Sequence, residues 1–155
     1  MKHPVVSRDA IVAMARSWLG TPYHHQASVR GVGCDCLGLV RGVWRDVYGG
    51  EPNIAMHYSR DWAEASGIET MLDGASRHMT AISQAEVSPG DVVVFRLRAH
   101  TVAKHAAIIA RDTTMIHAME GGPVSEVALS SWWRRRIAGQ FRFPNRECTN
   151  VHRGV

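Results

Sequence analysis

Gly33-Cys34-Asp35-Cys36-Leu37-Gly38-Leu39-Val40 is the stretch on which the fold turns. It joins a glycine-rich loop to a run of helical periodicity. Asp35 is placed to cap that helix, and Cys36, Val40, Val43 and Val47 fall on one apolar face. Gly49-Gly50 and then Pro52 stop it near Tyr48. A thiol in the first turn faces the positive end of the helix, which favours thiolate over thiol. One of the two cysteines is therefore a candidate nucleophile. The inward face of the helix selects Cys36, leaving Cys34 structural or incidental.

Working outward, Ile11, Met14, Ala15 and Trp18 are spaced for an amphipathic helix over 9–19, with Ser7 as its cap and Gly20 and Pro22 as its end. Residues 20–33 read as a loop. Residues 60–66 and 68–79 have the character of short helices, with Asp61, Glu64, Arg77 and His78 on a solvated face. From Ser88-Pro89-Gly90 onward the composition changes. Strands are expected at 91–97, 105–110, 114–118, 124–129 and 137–143. Helices first and antiparallel strands second predict an α+β fold, with N-terminal helices packed on one side of a sheet of about five strands. The domain is expected to occupy residues 1–144, followed by a polar tail at 145–155.

The chain has 155 residues, of which 45% are hydrophobic, enough for one domain with a real core. No apolar run reaches the roughly 18 residues of a membrane span. The segment from Ile11 to Ala15 is too short and too closely flanked by charge for a signal peptide, so synthesis without a Sec-type signal is expected. Three cysteines do not make a disulfide framework, and Cys34 and Cys36 are too close to bond to each other. The formal charge of +4 favours anionic partners, with no helix-turn-helix and no aromatic-basic strand to suggest nucleic acid.

A nucleophilic cysteine needs a base. A hairpin turn centred on Arg111 would set His105 directly opposite His117, with Cβ atoms about 5 Å apart. A two-residue loop would instead place them on opposite faces. In the first register one imidazole serves as base and the other orients it, the arrangement of a papain-like site. The thiolate of Cys36 would attack an amide carbonyl, and His105 would shuttle the proton. The oxyanion would meet the N–H at the helix start and the Tyr23 hydroxyl. Cys34, Cys36, His105 and His117 are also zinc-ligand types, but paired cysteines in structural zinc sites are spaced by about two to four residues, and here one intervenes. Trp132-Trp133-Arg134-Arg135-Arg136 is the conspicuous surface candidate. It reads either as a tryptophan packed under the sheet with arginines in solvent, or as a docking surface.

Gly20-Thr-Pro-Tyr23, Asp35-Cys36-x-Gly38-Leu39-Val40, Pro89-Gly90-Asp91-Val92-Val93, His105-Ala-Ala-Ile-Ile and Ile116-His117-Ala118 together resemble the NlpC-type cell-wall peptidases, bacterial papain-like enzymes that cut peptidoglycan stem peptides. The resemblance implies Cys36 as nucleophile, His105 as base, His117 as third catalytic residue and Tyr23 as the active-site tyrosine. Asp35 becomes a candidate substrate-amine contact, and no cofactor or metal is implied. The run from Cys34 to Trp44 looks more narrowly like peptidases encoded with the tail genes of phages and gene transfer agents. That likeness implies tail hub or fibre proteins as partners, and a tail that carries the enzyme to the wall. A same-fold amidase or acyltransferase and a mainly structural tail component are the competing functions. Leu37 stands where the family usually has serine, and Gln26-Ala27 where Gly-Gly is common, both beside the expected substrate groove.

Overall fold

The fold is known from a computed structural model, which describes residues 6–52 and 69–145. The elements in chain order are α1 (Arg8–Arg16), β1 (Ser28–Val29), β2 (Gly33–Cys34), α2 (Cys36–Tyr48), α3 (Thr70–His78), β3 (Thr80–Ala81), β4 (Val92–Phe95), β5 (His105–Arg111), β6 (Thr114–His117), β7 (Ser125–Ala128), α4 (Ser131–Arg134) and β8 (Ile137–Arg142). The expected helix at 60–66 lies outside the described residues.

Both leading helices begin where their caps predict. Ser7 accepts the Ala10 N–H through its hydroxyl, and Asp35 accepts the Gly38 N–H through its carboxylate. Gly49 closes α2 in the left-handed conformation, with φ of 78°. The two helices approach closely because α2 presents glycine to α1. A Cβ at Gly42 would lie 2.0 Å from Trp18 Cζ2. Trp18 in turn donates its indole N–H to Asp46.

The main sheet is antiparallel in the order β3-β8-β4-β5-β6-β7. It has six strands rather than about five, because the two-residue β3 adds an edge beyond β8. Its alternating side chains make two cores. Val92, Val94, Ala106, Ile108, Ile116 and Phe141 face α1, α2 and Met71 of α3. Val93, Phe95, Ala107, Ile109 and Met115 face the other way, towards Leu129 and Trp133. The N-terminal helices α1, α2 and α3 thus lie on one side, as expected, while α4 places Trp133 on the other. The loop expected at 20–33 contains a small ladder instead: Ser28 pairs with Cys34 and Val29 with Gly33.

The β5–β6 hairpin departs from the expected register. Arg111 pairs with Thr114 across a two-residue turn, the loop length that by itself would separate the two histidines. A bulge between Ile109 and Arg111 then shifts the ladder, so that Ile109 pairs with Met115 and Ile108 with Ile116. The extra residue restores the parity. His105 and His117 share a face as diagonal neighbours rather than direct partners.

Asp91 anchors the base of the sheet. It is fully buried. Arg142 holds both of its oxygens, at 2.9 and 3.0 Å, and the Ser88 N–H donates to Oδ2. A paired, hydrogen-bonded carboxylate tolerates such burial.

Candidate active site

His105 is the first residue of β5, and His117 is the last of β6. Both lie at the same end of the sheet as the N-terminus of α2. His105 Nε2 and His117 Nδ1 are 2.9 Å apart, and the two imidazoles are 5% and 7% exposed. Phe95, the strand partner of His105, packs beside it.

Cys36 opens α2 and is 6% exposed. It belongs to the helix-side core, whereas the imidazole pair sits with Phe95 and Trp133. The first residue of β5 is where these two layers meet. The sulfur contacts Lys104 O at 3.7 Å and is faced by the Ala106 N–H, so it rests on the backbone on either side of His105. The N–H groups of Leu37 and of Cys36 itself also point at it. The thiol hydrogen bond goes to the Lys104 carbonyl and not to an imidazole.

The electrostatics differ from the expectation of a ready-made thiolate. Burial, and then the adjacent Asp35 carboxylate, push the Cys36 thiol up to about 12. The three N–H groups oppose that rise without cancelling it. Burial and the neighbouring His117 push His105 down to about 3, and burial lowers His117. Thiol and imidazoles are therefore neutral together in the resting protein. A buried pair with this balance favours proton transfer during attack over a standing ion pair.

Cys34 is fully buried, and both Cys34 and Cys36 are free. Cys34 N donates to Pro22 O and Cys34 O accepts from His24 N, which fastens the 22–24 segment to β2. Among the described residues no group of three or more His, Cys, Asp and Glu side chains is arranged to hold a metal ion.

Asp35 is 2% exposed. Its Oδ1 accepts from Gly38 N and its Oδ2 from Gln26 N, each at 2.7 Å, and His25 Nδ1 lies 3.8 Å from Oδ2. The carboxylate thus fixes both the helix start and the loop that approaches it. Gly38 completes this junction, since a Cβ there would lie 1.9 Å from Ala27 O. Gln26 takes φ of 64°, the left-handed region that glycine enters most easily, which accounts for a glycine-tolerant position in this turn. Leu37 packs partly buried against the helix-side core.

Tyr23 is half-buried and bridges to Cys34. With Pro22, His24 and His25 it forms one wall of a surface groove of about 530 Å³, whose other wall is residues 120–123. The second wall belongs to the segment that joins β6 to β7.

Trp133 is the residue the sequence did not single out for this site. Its ring stacks on His105 at 5.4 Å and 29°, and meets His117 edge-on at 5.4 Å and Phe95 at 4.9 Å. It covers the hydrogen-bonded imidazoles on the side away from the helices. The Trp-Trp-Arg-Arg-Arg run was visible, but nothing local tells that a four-residue helix places one of those rings on strands far back in the chain. The expectation of a tryptophan packed under the sheet describes Trp133, while Trp132 is 44% exposed.

Comparison with known proteins agrees with this architecture. Gamma-DL-glutamyl hydrolase of Bacillus subtilis is 28% identical over 143 residues, which cover 92% of this chain and 31% of that one. The probable endopeptidase NlpC of Escherichia coli is 26% identical over 123 residues, covering 79% and 69%. The chain thus spans about a third of the Bacillus protein's length. Among solved structures, an NlpC/P60 protein of Bacillus cereus superposes with a TM-score of 0.64 at 20% identity, covering 90% of this chain and 41% of that one. The NlpC/p60 domain of the peptidoglycan hydrolase SagA does so at 0.62 and 24%, covering 89% and 100%. Residues 20–142, which include every element from β1 to β8, match the NlpC/P60 family, and the chain belongs to that family.

Proposed function

We propose that this protein is a cysteine peptidase that hydrolyses peptide bonds in peptidoglycan stem peptides. The observation that carries the reading is the placement of the Cys36 sulfur between Lys104 O and the Ala106 N–H, flanking a His105 that is hydrogen-bonded to His117. The names of the similar proteins support the substrate class: a glutamyl hydrolase, a probable endopeptidase and a peptidoglycan hydrolase.

The chemistry follows from neutral groups. For His105 to accept a proton at Nδ1, its Nε2 must carry hydrogen and donate to His117 Nδ1. The Cys36 sulfur attacks the scissile carbonyl carbon as its proton passes to His105. The new imidazolium keeps its Nε2–H on His117, which holds the ring and spreads the charge. The carbonyl oxygen becomes an oxyanion beside the Cys36 and Leu37 N–H groups at the start of α2, with the Tyr23 hydroxyl as a further donor. Collapse breaks the C–N bond, and the leaving amine takes the proton from His105. Water, deprotonated by His105, then splits the thioester to a carboxylate and restores the thiol.

The likeness of the Cys34–Trp44 run to tail-gene peptidases supports delivery by a phage-like tail, with hub or fibre proteins as partners and the cell wall as the place of action. Co-sedimentation with intact particles, and loss of that association in tailless particles, tests this part.

The catalytic reading is tested by digesting purified stem-peptide fragments and identifying products by mass spectrometry. Wild type and Cys34→Ala should release the same fragments, and Cys36→Ala none. Cutting by Cys36→Ala at the wild-type rate sinks the assignment, and acyl transfer to an added amine in place of hydrolysis would point to a transferase.

A further inference from the structure

A second groove, of about 590 Å³, lies between the turn that follows β4 and the segment that joins α4 to β8. It is lined by Arg96, Leu97 and Arg98 on one wall and by Arg135, Arg136 and Ile137 on the other. Four arginines line one space. Only Arg96 has an acidic partner among the described residues: it meets Glu69 at 2.6 Å. Crowding like charges without counter-charge is unfavourable unless an anion enters.

The walls are held in place before any ligand arrives. Arg96 N donates to Arg136 O at 2.8 Å, tying one wall to the other. Arg96 Nε donates to Thr101 O, and the Thr101 hydroxyl to Arg98 O, which closes the turn that carries Arg98. Arg136 lies over the exposed ring of Trp132 at 3.7 Å and donates to Trp132 O. A guanidinium stacked and tethered in this way loses little freedom on meeting a planar anion.

The groove is connected to the chemistry by rings. Trp132 meets Trp133 edge-on at 4.9 Å, and Trp133 stacks on His105. That chain of contacts, from Arg136 over Trp132 and Trp133 to His105, spans at most roughly the length of four extended residues.

We propose that this arginine groove is a carboxylate-binding subsite that recognises acidic groups of the peptide substrate a few residues from the scissile bond. The proposal rests on the peptidase reading above and adds to it a preference for free carboxylates. Paired N–H donors of Arg98, Arg135 and Arg136 match carboxylate geometry, and the exposed Trp132 ring offers a face for the neighbouring apolar part of the peptide.

The test measures binding apart from cleavage. In Cys36→Ala protein, tryptophan fluorescence reports titration with a short stem-type peptide bearing free carboxylates and with its fully amidated form. The free acid should bind roughly 10- to 100-fold more tightly. That preference should weaken as salt is raised and should vanish in Cys36→Ala/Arg98→Gln/Arg135→Gln. Equal binding of the two peptides, or a preference that survives the arginine substitutions, overturns the proposal. So does an inorganic polyphosphate that occupies the groove while leaving peptide binding unchanged, since the site would then serve a phosphate polymer. Circular dichroism of the triple variant confirms that it is folded. Acid-selective binding together with no cutting by the unaltered protein would overturn the peptidase reading alone.

Discussion

His105 and His117 share a hydrogen bond of 2.9 Å although they are not strand partners; a bulge at the far end of their hairpin puts them on the same face. Orientation of the His105 ring therefore depends on a backbone irregularity several residues away. His117→Asn keeps an acceptor in reach of His105 Nε2 and should lose less activity than His117→Ala. Losses of about 10-fold and about 100- to 1000-fold in kcat are expected, with KM little changed. Steady-state kinetics on a stem peptide give the comparison, and equal losses would show that His117 fills space rather than orienting His105.

Because burial and Asp35 raise the Cys36 thiol to about 12, little thiolate exists at neutral pH. Alkylation of Cys36 by iodoacetamide should therefore be slow at pH 7 and rise about tenfold per pH unit up to pH 10, without a plateau. A plateau reached below pH 7 would mean that the ion pair is already formed in the resting protein.

The histidines also set the acid limit of the fold. His105 titrates near 3 when folded and near 6.5 when unfolded, and His117 is shifted in the same direction. Below pH 6.5 the unfolded chain binds protons that the folded one refuses, so stability falls as pH drops through the window from about 6.5 towards 3. The slope approaches about 1.4 kcal/mol per pH unit for His105, with His117 adding to it. Urea unfolding between pH 4 and 7 reads this directly, and His105→Phe should flatten it.

Glycine 38 and glycine 74 make opposite predictions for the same substitution. A Cβ on Gly38 meets Ala27 O at 1.9 Å, in the junction that positions Cys36, whereas nothing lies within 4 Å of a Cβ on Gly74 in α3. Gly38→Ala should destabilise by about 2–3 kcal/mol and reduce activity through Cys36. Gly74→Ala should stabilise by roughly 0.5–1 kcal/mol and leave activity alone. Denaturant midpoints for both variants provide the check.

Much of the frame was legible because it rests on local chemistry. Ser7 and Asp35 announce their helices through side-chain acceptors that sit within three residues of the N–H groups they cap. Gly49 ends α2 because it enters the left-handed region freely, and Val92 to Phe95 is the short unbroken apolar run of a strand buried on both faces. The β1–β2 hairpin is invisible in the sequence because a ladder of two residues has no periodicity to detect. The hairpin register escaped for a related reason. A bulge is a single extra residue, and Ala110 carries no sign of it.

The sequence by itself determined the leading helices and the longer strands, and it singled out Cys36 and the pair of histidines to be considered with it, since these follow from spacing, capping and amphipathic faces. Tertiary structure decided the rest. Which imidazole nitrogen meets which depends on a distant bulge. The charge of the thiol depends on burial, which overrides the helix end. The place of Trp133 against His105 depends on packing between segments that share no local pattern. Interactions within a turn are written in neighbouring residues, whereas dielectric, register and ring stacking exist only once the chain has closed upon itself.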